Sequence, residues 1–196
     1  SPFMIHAVVS LENERFFEDP GWDYVAIGRA FLQNIAAGQV ESGASTITQQ
    51  IAEQLVLGQP TTTTDLKLRE LIIASQIAQQ YTKEEILGLY LNQIFFGNQS
   101  YGVEAAAQFY FGHSANDLTL PEAAMLAGMI AAPATYNPVR TPQDTFADYG
   151  SRRDAVFARM EDVIRKMQQV GCLPIPHPEV SGQFCVDAAA VNAARI

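Results

Sequence analysis

The chain has 196 residues, of which 48% are hydrophobic and 17% charged, and this composition indicates a globular protein rather than a disordered one. Its formal net charge of −9 argues against a nucleic-acid-binding protein, because such binding depends on Lys and Arg at the phosphates. The same acidic balance argues against docking on anionic lipid through a basic surface, and no apolar run reaches the ~20 residues that a membrane span needs.

Helical signals begin at the first residues of the chain. Pro2 suits a first helical turn, and the apolar residues after it predict a largely buried helix that ends near residues 15–17. A second helix is predicted over residues 22–37, after an Asp-Pro-Gly break signal. A third is predicted to open in a Ser/Thr/Gln-rich run and to continue over residues 45–57.

Capping signals and periodicity predict the remaining helices. Asp65 caps a long helix that should run to about residue 80, and Thr82 with Glu85 forms a capping-box pattern for the next helix, to about residue 93. Three more helical segments are predicted: 102–111, 121–132 and 154–170. We find no alternating strand pattern of any length, so the predicted fold class is all-α.

The last quarter of the chain has a different character. Pro and Gly recur after residue 170, and residues 171–196 are predicted to be a tail or linker. This segment holds both cysteines, Cys172 and Cys185. Two interpretations stay open: two unrelated thiols, or a disulfide, which requires an oxidising compartment. The three histidines are far apart, and we predict no zinc site.

Three groups of polar side chains are candidates for chemistry. Glu12 lies near the C-terminal end of an apolar helix, where the helix dipole and apolar neighbours favour the neutral carboxyl and suit a general base; the alternative is a frayed surface residue. Lys67 and Glu70 share a helix face, and the alternative is an ordinary surface ion pair. The run 45–50 places three hydroxyls and two amides at a helix N-terminus, where they suit phosphate or sugar oxygens or merely cap the helix.

A series of segments in fixed order carries a more specific signal. The segments are 12–21 (ENERFFEDPG), 43–53 (GASTITQQIAE), 66–70 (LKLRE), 83–92 (KEEILGLYLN), 102–106 (GVEAA) and 132–138 (APATYNP). In order and spacing they resemble the glycosyltransferase domain of class A penicillin-binding proteins and of monofunctional peptidoglycan transglycosylases, glycosyltransferase family 51. The resemblance covers residues 3–138, about two thirds of the chain.

The resemblance implies both a fold and an activity. The fold is related to lysozyme, with a main helical lobe and a small membrane-facing jaw lobe at about residues 22–42, in a domain over residues 1–170. The implied activity is polymerisation of lipid II into glycan strands by inverting transfer, with release of undecaprenyl pyrophosphate. The implied location is the extracytoplasmic face of a bacterial cell membrane, with the anchor outside this sequence.

The resemblance also assigns roles to residues. Glu12 is the general base, and Glu70 is a second acidic residue that assists the leaving pyrophosphate or orients Lys67. The implied substrate-binding residues are Asn13, Phe16, Ser45, Thr46, Thr48, Gln49, Gln50, Lys67 and Asn92. No cofactor is required, although Mg²⁺ or Mn²⁺ bridging the pyrophosphate stays open. The implied partners are lipid II, the growing lipid-linked glycan and the membrane surface through the jaw, and whether a C-terminal transpeptidase domain follows stays open.

The chain departs from the family pattern at five positions. Asn13 stands for the usual Asp, Asp19 for His, Glu53 for a basic residue, Leu66 for Arg and Gly88 for Glu. Two positive charges are thereby missing near a predicted pyrophosphate site. These losses motivate one alternative, a domain that binds lipid II without turnover. A second alternative is a lysozyme-like lytic enzyme, which the polar run 45–50 disfavours because a lytic enzyme has no pyrophosphate to hold.

Overall fold

A computed structural model describes residues 1–21, 45–58, 64–180 and 182–194 of the chain. The described α-helices are α1 (Pro2–Glu12), α2 (Ile47–Ile51), α3 (Thr64–Gln80), α4 (Lys83–Gln93), α5 (Val103–Phe111), α6 (Leu120–Met129), α7 (Phe146–Val170) and α8 (Ala188–Ala194). A π-helical segment, Ala52–Leu57, continues α2, and a 3₁₀ turn covers Ala115–Asp117. The predicted helical class is confirmed, whereas the predicted helix 22–37 and the predicted jaw 22–42 lie outside the described residues.

A small sheet follows the last long helix, where only a tail or linker was predicted. Strands β1 (Cys172–Leu173) and β2 (Phe184–Cys185) pair antiparallel, and Cys172 is disulfide-bonded to Cys185. The interpretation as free thiols is therefore wrong. The ring of Phe184 lies edge-on to that of Phe3, with the centroids 5.1 Å apart, so the hairpin packs against α1.

Contacts between Cα atoms divide the chain into two compact units. The first unit comprises Ser1–Leu11 and Leu91–Ile196, and the second comprises Glu12–Tyr90. In the first unit, α6 packs closely on α7 at Gly128, where a Cβ atom would lie 2.9 Å from Cγ of Arg159. A larger residue at this helix crossing would therefore have to displace the side chain of Arg159. The domain boundary at residue 170 stays a prediction.

The second unit is built around the close approach of a loop to α3. Gly21 has a φ of +99°, and a Cβ atom there would lie 2.7 Å from the carbonyl oxygen of Ala74 and 2.8 Å from Cβ of Ala78. Only glycine fits both this backbone conformation and this contact. The Gly21 carbonyl accepts a hydrogen bond from Oγ1 of Thr46 at 2.8 Å, which ties the loop to the N-terminus of α2.

Several predicted helix boundaries are wrong, among them the end of 121–132, which lies at Met129, and two of the errors have a clear local cause. The first helix ends at Glu12 rather than at residues 15–17, because the backbone turns there, with the N–H of Phe16 donating to the carbonyl of Asn13. The last long helix begins at residue 146 rather than 154, because Thr145 and Asp148 form a capping box. None of the described helices combines the length and the hydropathy needed to span a membrane.

Candidate active site

Glu12 is the last residue of α1, and its carboxylate is held by a side chain from α2. The helix before it is buried at Val8, Val9 and Ser10, whereas Glu12 itself is half-buried. Its Oε2 accepts a hydrogen bond from Nε2 of Gln50 at 2.8 Å. Glu12 is thus neither frayed nor directed into open solvent: its carboxylate is anchored, and the residue is partly exposed.

The N-terminus of α2 is fixed by hydrogen bonds from three directions. Thr46 and Gln49 form a capping box, in which each side chain accepts from the backbone N–H of the other residue, at 3.2 and 3.1 Å. Oγ1 of Thr46 also donates to Gly21, and Oδ1 of Asn13 accepts from the N–H of Ile47 at 3.3 Å. Since helix ends leave backbone N–H groups without intrahelical partners, these contacts stabilise α2 and orient its side chains.

A second carboxylate lies at the other end of this hydrogen-bonded group. Glu70, on α3, is fully buried, and its Oε1 accepts from Nε2 of Gln49 at 2.7 Å and from Nζ of Lys67 at 2.6 Å. Nζ of Lys67 also donates to Oγ of Ser45 at 2.8 Å, and the Lys67 side chain is 39% exposed. The pair is therefore not an ordinary surface ion pair, because its carboxylate is buried while its cation reaches the surface.

Adjacent residues of α2 connect the two carboxylates. Gln49 donates to Glu70, and Gln50 donates to Glu12. The side-chain amides of one five-residue helix thus bind two carboxylates that come from α1 and α3. A partly exposed acid and an anchored cation are thus linked through neighbouring residues of the same short helix.

The departure at position 19 has a structural explanation. Oδ1 of Asp19 accepts from Nζ of Lys83 at 2.9 Å and from the N–H of Gly21 at 2.8 Å. The Lys83 ammonium lies 4.5 Å from the centroid of the Phe16 ring, a cation–π contact. Phe16 is fully buried, so in this structure its ring supports the ion pair, and its contact with substrate stays a prediction.

The remaining predicted site residues lie in several environments. Thr48 is fully buried, and its hydroxyl is one of the two buried side-chain atoms in the described ranges without a hydrogen-bond partner. Asn92 is exposed and belongs to the first unit. Glu53 and Leu66, which replace basic residues, are both half-exposed. The assigned substrate contacts of these residues stay predictions.

Sequence reasoning missed Tyr90, which belongs to the same hydrogen-bonded group. Its hydroxyl donates to Oε1 of Gln50 at 3.0 Å, and its side chain is only 2% exposed. Burial, and to a smaller extent the charge of Glu12, raise the pKa of Tyr90 well above its usual value. Tyr90 lies among the apolar residues of α4. Since the hydroxyl of a buried tyrosine usually has a hydrogen-bond partner, the residue type itself was the available signal.

Within residues 1–21, 45–58, 64–180 and 182–194, no group of three or more His, Cys, Asp or Glu side chains is arranged to hold a metal ion. A divalent cation that bridges a pyrophosphate uses ligand oxygens as well as protein groups, so its involvement stays a proposal.

Comparison with known proteins adds an independent observation. The family model described as "Transglycosylase" matches residues 1–161. Penicillin-binding protein 1A of Neisseria flavescens is 47% identical over 137 residues, which are 70% of this chain and 17% of that protein. Penicillin-binding protein 1A of Escherichia coli strain K12 is 44% identical over 161 residues, which are 82% of this chain and 18% of that protein.

A solved structure was also matched. Penicillin-binding protein 1A of Haemophilus influenzae shares 32% sequence identity, with a TM-score of 0.35, over 76% of this chain and 15% of that one. The chain thus spans less than a fifth of the length of the relatives that it matches.

Proposed function

Because this chain belongs to the transglycosylase family, we propose that it is a peptidoglycan glycosyltransferase that polymerises lipid II into glycan strands. The observation that carries the proposal is the pair of adjacent amides on α2, of which Gln50 donates to Glu12 and Gln49 donates to Glu70, the partner of Lys67. Inverting transfer needs a base on one face of the donor sugar and charge stabilisation at the leaving group on the other. Glu12 is the proposed base, and Lys67 is the proposed source of charge stabilisation.

The proposed reaction is a single displacement. The donor is a growing glycan on undecaprenyl pyrophosphate, and the acceptor is lipid II. The carboxylate of Glu12 takes the proton of the acceptor 4-hydroxyl as that oxygen attacks the anomeric carbon of the donor. The bond from this carbon to the pyrophosphate oxygen breaks, and its electron pair leaves with the lipid pyrophosphate. The configuration changes from α to β.

Lys67 is the residue best suited to meet the leaving group. Its ammonium is anchored by Glu70 and Ser45, and part of the side chain remains exposed. A positioned cation costs no reorganisation when negative charge develops on the pyrophosphate. Buried Glu70 acts through Lys67, by orienting it. Mg²⁺ or Mn²⁺ is an optional addition at the pyrophosphate and no step depends on it.

The proposal extends to the setting of the reaction. Lipid-linked substrates place the proposed reaction at a membrane, and the family resemblance implies the extracytoplasmic face of a bacterial cell membrane. The segment 22–42 is proposed to contact the membrane surface, and the relatives' greater length is consistent with a transpeptidase domain beyond this chain. The Cys172–Cys185 disulfide supports an oxidising compartment, because such bonds are rare in the cytosol.

The proposal is tested by giving the chain two substrates separately. Incubated with lipid II, it should form glycan strands that a gel separates by length and that a muramidase digests. Incubated with finished peptidoglycan, it should release no fragments. Release of fragments without polymerisation would instead identify a lytic enzyme. Binding of the phosphoglycolipid moenomycin without any polymer from lipid II would identify a binding domain.

A further inference from the structure

Tyr90, Gln50 and Glu12 form a continuous chain of hydrogen bonds. The hydroxyl of Tyr90 donates to Oε1 of Gln50 at 3.0 Å, and Nε2 of Gln50 donates to Oε2 of Glu12 at 2.8 Å. The three residues come from α4, α2 and α1 and all belong to the second unit. Both ends of the Gln50 amide are therefore engaged by protein groups.

The chemistry of these groups fixes the direction of each bond. An ionised carboxylate only accepts hydrogen bonds, so the NH₂ of Gln50 must face Glu12, and its oxygen must face Tyr90. The Tyr90 hydroxyl must then donate. Burial and the nearby charge of Glu12 raise the pKa of Tyr90, so the hydroxyl keeps its proton throughout the pH range in which proteins are stable. Tyr90 is a permanent donor at this position.

We propose that Tyr90 is a positioning residue, whose hydroxyl locks the Gln50 amide so that Gln50 holds Glu12 in the orientation for proton abstraction. The inference rests on the proposed function, in which Glu12 is the base. It assigns Gln50 to the support of Glu12 rather than to substrate binding. Without the Tyr90 hydroxyl, the amide can rotate, and Glu12 loses its fixed orientation.

A purely structural role for Tyr90 makes a different prediction. The buried ring packs in the core whether or not it carries a hydroxyl, so Tyr90→Phe leaves the packing of the ring in place. A structural role would show as lost stability, with little change in turnover by the folded fraction. A positioning role predicts a lower kcat with an unchanged KM for lipid II, because only the transition state depends on the orientation of the base.

The test compares four variants of the full chain in a lipid II polymerisation assay: Tyr90→Phe, Gln50→Met, the double variant, and Tyr81→Phe as control. Tyr81 is an exposed tyrosine of the same unit, and its variant should match wild type. Tyr90→Phe should lower kcat about five- to tenfold, as expected for one lost hydrogen bond, with KM within about twofold. Gln50→Met should lower kcat at least as much, again with KM unchanged.

The double variant decides whether Tyr90 acts through Gln50. The account predicts that Tyr90→Phe costs nothing further once Gln50 is Met, so that the two effects are not additive. Multiplied effects, an unchanged kcat in Tyr90→Phe, or a raised KM in Gln50→Met would each overturn the inference. If Tyr90→Phe does not fold, Gln50→Met alone decides, because a raised KM marks direct substrate contact and a kcat loss marks positioning.

Including Glu12→Gln separates this inference from the proposed function. Full activity of folded Glu12→Gln would refute both, since no base would then need positioning. An inactive Glu12→Gln beside an unimpaired Tyr90→Phe would refute the inference alone and leave the proposed function standing.

Discussion

Glu12 and Glu70 are the same residue type, and each accepts a hydrogen bond from a glutamine of α2, yet their surroundings differ. Glu12 is half-buried, and the groups that connect to it are the neutral amide of Gln50 and, behind it, the hydroxyl of Tyr90. Glu70 is fully buried, and its Oε1 accepts a hydrogen bond from Nζ of Lys67 at 2.6 Å. Glu12 is partly exposed and has neutral hydrogen-bond partners, whereas Glu70 is buried and is paired with a cation.

This difference shows how the environment separates the roles of two equal groups. An accessible carboxylate can meet a substrate hydroxyl, as a base must. Without the ammonium of Lys67, the buried charge of the enclosed carboxylate would be less well compensated, so the proposed contribution of Glu70 is to hold Lys67 in place. In the proposed reaction, Glu12 is the chemical half of the site and Lys67 is the electrostatic half, and α2 joins them.

The largest loss of stability is expected when the ion pair of Lys67 and Glu70 is broken. Lys67→Met leaves Glu70 buried without its ammonium partner, and the free energy of unfolding should fall by ~3–5 kcal/mol, towards the lower figure because Lys67 is partly exposed. Urea unfolding followed by circular dichroism measures this loss. Adding Glu70→Gln to Lys67→Met should restore part of it. A loss below about 1 kcal/mol in the single variant would mean that the pair behaves like a surface ion pair.

A smaller loss is expected at the loop that anchors α2. Gly21→Ala combines a strained backbone, which costs ~1–3 kcal/mol, with a contact of 2.7 Å to the Ala74 carbonyl oxygen. Gly58→Ala is the matched control, because Gly58 also has a positive φ of +63° but has open space around it. The melting temperature should fall further for Gly21→Ala than for Gly58→Ala. Equal shifts would show that the close approach to α3 is not needed.

Substitution of Thr46, the N-cap residue of α2, tests the contacts that hold this helix between Glu12 and Glu70. Thr46→Val removes both the cap of α2 and the hydrogen bond to Gly21, and should cost ~1–2 kcal/mol. Thr82→Val removes a similar but exposed capping box from α4 and should cost less, ~0.5–1 kcal/mol. Chemical unfolding of both variants gives the comparison. A larger loss at Thr82 would contradict the special role of the Thr46 contacts.

The smallest effect is expected from placing a positive charge at position 53, where the family pattern has a basic residue. Glu53→Lys restores a basic residue at a half-exposed position and should lower KM for the lipid-linked donor about two- to fivefold, in line with the modest strength of exposed charge pairs. The gain should shrink as salt is added. Glu84→Lys makes the same charge change at an exposed position of α4 and serves as control. An unchanged or higher KM would place residue 53 away from the pyrophosphate.

Local patterns were sufficient for parts of the fold. The capping box of Thr82 and Glu85 and the end of α4 near residue 93 were predicted, and both are confirmed. A capping box of Thr145 and Asp148 starts α7 at residue 146, eight residues before the predicted start at 154. The end of α1 was placed late because the turn after Glu12 carries no Gly or Pro until residue 20.

The contacts of the site could not be predicted from local patterns. Gln50 bonds to residues 38 and 40 positions away in the chain, and Lys83 pairs with a residue 64 positions away. Such partners are set by packing rather than by spacing. The motifs pointed to Glu12, Lys67 and Glu70, but only the structure places the two carboxylates on neighbouring amides of one helix.

The central claim, that Glu12 is the base for glycan polymerisation, is tested most directly by the substitution Glu12→Gln. Wild type and variant should be compared in a gel assay of lipid II polymerisation, with and without added Mg²⁺, after circular dichroism has shown equal helical content. The account predicts that the folded variant loses about 10²–10⁴-fold in rate with or without the metal. Near-normal turnover by a folded Glu12→Gln protein would contradict it.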